Sequence, residues 1–425
     1  MSKWNTVLLS DIADTTLGKM LNKEKNCGEY EPYLANINVR WGSFDIENLS
    51  KMRFENHEQE KYGLKKGDLV VCEGGEPGRC AIWHGEIEGM KIQKALHRVR
   101  AKNGLDIRFL YYWFLMASRA GLLIKNFTGS TIKHLPEESL RELEVRVPDQ
   151  QTQANISNVL SIIDDKIQLN NTINAELEKV AKTLYDYWFV QFDFPNAEGK
   201  PYRASGGEMV YNKILKREIP KGWKSETVKN CVSQIRTGLN PRQNFALGQG
   251  ENQYITIKNI ENGKLDFSKC DFVDDDALRK IHNRSDISVG DILFTSIEPV
   301  GRLYRIWEQP QNWDINESVF SIRTDTDVVS IDYLYAAMDS DLFRAMAIPL
   351  RTGSVQKGIR IGDLEAMKIV IPDDNVMERF SKRIRPIYEK RGLIEKENSE
   401  LTCLRDFLLP LLMNGQVTVA VSNVR

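Results

Sequence analysis

"TGSTIKHLPEESLRELEVRVPD" (residues 128–149) and "TGSVQKGIRIGDLEAMKIVIPD" (residues 352–373) open on the same Thr-Gly-Ser and close on the same apolar-Pro-Asp. Thr128 and Thr352 stand 224 positions apart, and so do Pro148 and Pro372. One loop and one strand written twice in the same register mark an internal repeat, which decides the architecture before any local pattern is read. The pairing runs outward from these blocks. "KKGDLVV" (65–71) matches "SVGDILF" (288–294), and "GEPGRCAIW" (75–83) matches "EPVGRLYRIW" (298–307) with one insertion. "DIRFLYYWF" (106–114) matches "SIDYLYAAM" (330–338), and "YLANINVRWGSFD" (33–45) loosely matches "YITIKNIENGKLDF" (254–267).

Each copy combines short β-rich runs bounded by Gly and Asp with an amphipathic helix. That helix carries Phe109, Leu110, Trp113 and Phe114 in the first copy, and Leu334, Tyr335, Met338 and Leu342 in the second. Each copy is therefore read as a small α+β domain. After each Pro-Asp a long helix is expected. Positions 156, 160, 163, 167, 170, 174, 177, 181, 184 and 188 alternate steps of four and three, the spacing of a coiled-coil seam. Adding 224 gives 380 through 412, again mostly apolar, with Asn174 and Asn398 at the same register position. A polar Asn in an apolar seam costs stability and fixes register. Pairing of the two helices is favoured over each packing on its own domain.

The expected fold is thus α+β, with two similar domains joined by two long antiparallel coiled-coil helices about a pseudo-two-fold axis. The divisions are 1–150, helix 151–190, a Gly- and Pro-rich linker 191–222, 223–374, helix 375–415 and a tail 416–425. A helix over 156–188 spans roughly 50 Å at the standard rise, so the two heads are expected at opposite ends of a stiff spacer.

Composition narrows the function. The chain has 425 residues, 41% apolar and 9% aromatic, enough for more than one core, and a net charge of only −1. Any nucleic-acid surface must therefore be local. No apolar run approaches a membrane span and the N-terminus has no signal pattern, which points to the cytoplasm and no membrane partner. Cysteines 27, 72, 80, 231, 270 and 403 form no CxxC pair and read as reduced, buried thiols. Histidines 57, 84, 97, 134 and 282 lack metal-ligand spacing. There is no GxxxxGK phosphate loop and no Asn-Pro-Pro-Tyr-like segment of a methyl-donor site. Glu198 and Lys200 make a nuclease-like Glu-x-Lys, but in the linker. The chain is expected to catalyse nothing alone and to hold no metal.

Two spaced heads suit DNA, where half-sites recur at turns of the duplex, about every 34 Å. The candidate contacts flank the repeated loops: Lys125, Asn126, Thr128, Gly129, Ser130, Lys133 and His134 in the first copy, and Arg351, Thr352, Gly353, Ser354, Gln356, Lys357 and Arg360 in the second. Hydroxyls and cations suit phosphate, while Asn, Gln and Arg suit base edges. Arg79 and Arg302 follow the Glu-Pro turns at equivalent places.

The stretch "DDKIQLNNTINAELEKVAKTLYDYWFVQFDFP" (164–195), followed by "GKPYRASGGEMV" (199–210) and "REIPKGW" (217–223), resembles the specificity subunit of type I restriction–modification systems, as do the two Thr-Gly-Ser blocks. The resemblance spans the whole chain. It implies two target-recognition domains, each reading half of a bipartite, asymmetric site in double-stranded DNA. It also implies that the helices dock two modification (methyltransferase) subunits, with two restriction (motor-nuclease) subunits added for cleavage. S-adenosylmethionine, ATP and Mg would then sit on those partners. Tyr185, Tyr187, Trp188 and Phe189, which close the first helix, are the candidate docking residues; the second helix ends instead in "FLLPLLMNGQV" (407–417). The competing readings are a methyltransferase or nuclease fusion with hidden motifs, and a scaffold whose heads bind only proteins.

Overall fold

The computed structural model describes residues 4–22, 26–261, 263–353 and 357–419. The chain divides into two compact units, one formed by residues 1–169 with 398–425 and the other by 170–397. Each unit holds one head and a stretch of both long helices.

The heads repeat strand for strand. In the first, a four-stranded antiparallel sheet takes the order Ala13–Leu17, Leu96–Ala101, Leu69–Cys72, Cys80–Ile82; in the second the order is Val232–Thr237, Val319–Thr324, Ile292–Thr295, Leu303–Arg305. A second, three-stranded sheet recurs as well. Its middle strand, Glu29–Leu34 or Asn252–Ile255, pairs antiparallel on one side and parallel on the other. The central strands Leu69–Cys72 and Ile292–Thr295 are fully buried, which explains their unbroken apolar runs. The expected amphipathic helices form at Ile107–Arg119 and Ile331–Asp339, but Ser340 ends the second early, so Leu342 falls on a separate helix, Asp341–Ala347, and is exposed. Their Asp106 and Ser330 side chains accept the backbone N–H of Arg108 and Tyr333 and so satisfy donors the helix leaves unpaired.

The repeated Gly-Asp does more than turn the chain. Asp68 and Asp291 are each about 1% exposed. The Asp68 carboxylate accepts from Arg100 Nε and Nη2 at 2.6 and 2.7 Å, and from the N–H of Lys65. Asp291 accepts from Arg323 Nε and Nη2 at 2.8 and 2.9 Å, from Ser321 Oγ and from the N–H of Ser288. Each pair ties the start of a central strand to its neighbour.

The Pro-Asp endings become helix starts. Asp149 accepts from the N–H and hydroxyl of Thr152, and these bonds hold its carboxyl below the ordinary value; Asp373 accepts from the N–H of Val376. The long helices run Gln150–Tyr185 and Asp374–Met413. Beyond Tyr185 the first loosens into a π-helical turn, Asp186–Val190. Within the second unit Asn170 Nδ2 donates to Glu397 Oε2 at 2.8 Å and Arg391 approaches Glu178 at 3.4 Å. Within the first, Arg405 Nη1 donates to Asp164 at 2.9 Å. Partner numbers fall along one helix as they rise along the other, so the pair is antiparallel. The seam is buried as its spacing predicts, at Ile156, Leu160, Ile163, Ala181, Phe380, Ile384, Ile394 and Leu412. Asn174 is 2% exposed and, among the described residues, its amide has no hydrogen-bond partner. Asn170, one turn earlier in the seam, bonds across to Glu397, and Asn398 is half-buried.

The segment read as a linker, 191–222, is folded. Phe192, Phe194 and Ile219 are buried, Phe194 stacks between Tyr202 and Trp223, and Met209–Asn212 pairs with Arg217–Pro220 as a hairpin. Gly199, Gly206 and Gly222 take positive φ where the chain bends, Pro195 and Pro201 bridge one another, and Pro220 ends the hairpin's second strand. All six cysteines are free, but only Cys72, Cys80 and Cys231 are buried; Cys27 and Cys403 are exposed. Burial pushes the Cys72 thiol up to about 11 and Cys231 up to about 12.

Breaking a buried ion pair from one side costs about 3–5 kcal/mol. Arg100 and Arg323 are each about a third exposed, so Asp68→Ala or Asp291→Ala is expected to cost ~2–3 kcal/mol. Urea denaturation of each variant measures it, and a loss under ~0.5 kcal/mol would refute an anchoring role.

Candidate nucleic-acid interface

In each unit three loops converge on one edge of the head. The repeated Thr-Gly-Ser loop is closed by a two-bond rung: Thr128 N–H to His134 O at 2.8 Å and the reverse at 2.9 Å, and likewise Thr352 with Gly358 at 2.8 and 2.9 Å. The loop then docks on the Glu-Pro turn. Leu135 N–H donates to Glu73 O at 2.7 Å in one head, and Ile359 N–H donates to Ser296 O at 2.8 Å in the other. A short antiparallel pair completes the cluster, Val39–Arg40 with Ser43–Phe44 in the first unit and Ile260–Glu261 with Lys264–Leu265 in the second. Under the first loop, buried His97 donates from Nε2 to Leu135 O at 2.9 Å. Burial pushes its imidazole below the ordinary value, which suits a neutral ring with a single donor.

Gly129 has φ of +89°, and a Cβ there would lie 2.2 Å from Ile132 O. The close approach that demands glycine is therefore within the loop itself, which makes Gly129 a shaping residue. Gly353 has φ of +122° at the equivalent place.

Of the residues singled out from sequence, Lys125, Thr128, Gly129, Ser130, Lys133, His134, Thr352, Gly353, Lys357 and Arg360 are exposed on these loops. Asn126 is half-buried, and Ser354 and Gln356 lie outside the described residues. Arg351 is half-buried and donates to Glu298 Oε2 at 2.7 Å and to Ile348 O. Arg79 donates to Glu76 Oε2 at 2.8 Å and Asn36 O at 3.0 Å, while Arg302 reaches Ile260 O at 3.3 Å and Glu261 at 3.5 Å. Arg302 thus fastens the hairpin to its turn, whereas Arg79 holds its own turn to the short 3-10 turn, Asn36–Asn38, that leads into the hairpin. Sequence reasoning missed the hairpin and its approach: Ile37, in the turn just before it, is 69% exposed, and Arg40 on its first strand is about half exposed. The loose match of 33–45 to 254–267 was the available signal.

The expected docking residues are corrected. Tyr185, Trp188 and Phe189 are 7%, 2% and 1% exposed, packed with Phe380, Tyr333 and Trp223 in the second unit's core; Tyr187 alone is at the surface. Apolar aromatics at a helix end look like a surface until the 191–223 segment folds over them, as Trp223 against Phe189 shows. The helices expose apolar residues elsewhere. In the first unit these are Ile162, Leu169, Leu404 and Phe407; in the second they are Ile173, Val180 and Leu393. Leu169 corresponds to Leu393, and Val180 to Leu404, in the 224-residue repeat.

Glu198 and Lys200 pair with each other on the surface. One group with ligand-like spacing, Glu55, His57 and Glu58, lies at the surface of the first head, where Glu58 is already bonded to Lys19. No described helix is long and apolar enough to cross a membrane.

The class defined by this arrangement is a tandem pair of like heads, each presenting polar and cationic loops, with paired long helices. Comparison with known proteins bears out the resemblance read from the sequence. Residues 1–179 match the family model of the type I restriction modification DNA specificity domain. The MjaIX type I restriction enzyme specificity subunit of Methanocaldococcus jannaschii is 25% identical over 367 residues, covering 83% of this chain and 78% of that protein. The HindI specificity subunit of Haemophilus influenzae is 22% identical over 411 residues, covering 84% and 88%. In fold, the chain is similar to the S subunit of a type I restriction–modification system from M. genitalium, with a TM-score of 0.55 at 17% identity over 99% of this chain and 97% of that one.

Lys133 and Lys357 present compact charges suited to phosphate. Each lysine-to-alanine change is expected to weaken duplex binding by the assembled complex to all sequences alike, and to lower the log–log salt slope by about 1. Binding titrations across salt concentrations measure this; an unchanged slope in both variants would place the lysines off the DNA.

Proposed function

We propose that this chain is the DNA sequence-specificity subunit of a type I restriction–modification complex. Each head reads one half of a bipartite, asymmetric site, and the long helices set the unread gap. The observation that carries this is the duplicated three-loop cluster. The loop's closing rung and its bond to the Glu-Pro turn recur in both copies, while the residues on them differ, as two unlike half-sites require. By itself the chain catalyses nothing. Methyl transfer, with S-adenosylmethionine, belongs to two modification subunits, and ATP- and Mg-dependent cleavage to two restriction subunits, all in the cytoplasm. The exposed apolar positions of the long helices are the docking faces, with Leu169 and Leu393 at equivalent places. A buried aromatic cluster cannot serve that role without unfolding the second head.

Mapping methylated sites in cells expressing this chain with its modification partner is expected to give a two-part motif with a fixed gap. Replacing residues 1–150 with those of a relative should rewrite one part only. A continuous motif, or methylation by the chain alone, would overturn the reading. Separately, Leu169→Glu with Leu393→Glu is expected to cut co-purification of the modification subunit at least tenfold, with melting of the free chain little changed. Full retention of the partner would move the docking face elsewhere.

A further inference from the structure

A carboxylate beside DNA is repelled by phosphate, so one held at the centre of a reading surface calls for a purpose. Both heads hold one on the Glu-Pro turn, at Glu76 and Glu298, each about half exposed. The two are wired differently. Glu76 accepts from Trp41 Nε1 at 2.8 Å and from Arg79 of its own turn at 2.8 Å, so both oxygens are engaged within the turn and hairpin. Glu298 instead accepts at Oε2 from Arg351, the residue preceding the Thr-Gly-Ser loop, at 2.7 Å. Its backbone N–H is fastened to Lys357 O at 3.0 Å on the far side of that loop. The turn and the loop thus clamp this acidic residue and its arginine side by side.

Arg351 is held as firmly. Its Nε donates to Ile348 O at 3.0 Å and its Nη1 to Glu298, leaving Nη2 and Glu298 Oε1 with no hydrogen-bond partner among the described residues. Residue 127, the equivalent of 351 in the repeat, is Phe, so the first head has no such fork.

Resting on the reading given above, we propose that Glu298 and Arg351 together read one C·G base pair in the half-site of the second head. In the major groove cytosine offers only the N4 amino donor, and its paired guanine offers the O6 and N7 acceptors. Those groups lie next to one another on the pair's edge. A carboxylate joined to a guanidinium presents the complementary order, an acceptor for N4 beside donors for O6 and N7. The ion pair also solves the electrostatic problem: Arg351 offsets the carboxylate's repulsion from the backbone, and Glu298 pre-orders an otherwise flexible arginine. An adenine is disfavoured because its N6 donor would face the guanidinium.

The test uses the full chain assembled with its modification partner. Binding is measured to a duplex carrying the mapped site and to a panel in which each base pair of both half-sites is changed in turn. Wild-type complex is expected to lose affinity about ten- to hundredfold when one particular C·G pair of the second half-site is replaced. In Glu298→Ala and in Arg351→Lys, which keeps the charge but not the fork, that preference is expected to fall to threefold or less. Discrimination in the first half-site should stay intact, which also certifies that the complex is folded. Equal weakening on every duplex would reduce the pair to a phosphate contact or a structural brace, and tighter binding of Glu298→Ala to every duplex would make Glu298 merely repulsive. Either result overturns the proposal, as does unchanged discrimination in both variants. A wild-type complex with no sequence preference would instead sink the specificity reading itself.

Discussion

Neither long helix can bury its apolar seam alone. An isolated helix with a four–three stripe leaves that stripe in water, and the cover comes from the other copy's helix running the opposite way. The consequence reaches into the heads. Leu409, Leu412 and Met413, from the end of the second helix, pack in the same core as Phe109, Leu110, Ile156 and Leu160. The first unit is therefore closed by residues more than two hundred positions from the rest of it. In the second unit, Phe380, Ile384 and Tyr388 from the start of that helix close the core with Ala181 and Tyr185. The long-range closure ties each head's core to helix residues from the other copy of the repeat.

The two closures are built from different chemistry. In the first unit Asp164 takes hydrogen bonds from Tyr112 at 2.8 Å and Arg405 at 2.9 Å. The repeat-equivalent positions of Asp164 and Arg405 in the second unit are Tyr388 and Ala181. There the contact is apolar, with Tyr388 edge-on to Tyr335 at 5.0 Å. An ion pair under a helix junction fixes geometry more than it adds stability, because desolvation offsets most of the attraction. The aromatic version relies on area and shape. Similar frames thus tolerate different fillings, provided that each is satisfied internally.

This bears on what the sequence could reveal. The repeat, the strands and the seam were legible because they rest on patterns that one-dimensional spacing records: a period of two, a period of 3.6, and turn residues at fixed offsets. The misread parts involve residues whose role depends on a neighbour distant in sequence. Trp188 and Phe189 are apolar whether they face a partner or Trp223, and only the folding of 191–223 decides between them. Arg79 is as cationic beside Glu76 as it would be beside phosphate. The Thr-Gly-Ser loops were found because they recur, while their closing rung and the Glu298–Arg351 fork involve pairings across the fold that no spacing announces.

Charge follows the same logic. With a net charge of −1, the chain has little non-specific pull on a polyanion, since that pull scales with the number of phosphates neutralised. Several cations near the loops are moreover held by carboxylates, as in Glu76–Arg79, Glu261–Arg302 and Glu298–Arg351. Such pairing lowers affinity for arbitrary duplex while leaving directional donors and acceptors in place. Discrimination depends on the difference between right and wrong sites, and weak non-specific binding widens that difference without any new contact.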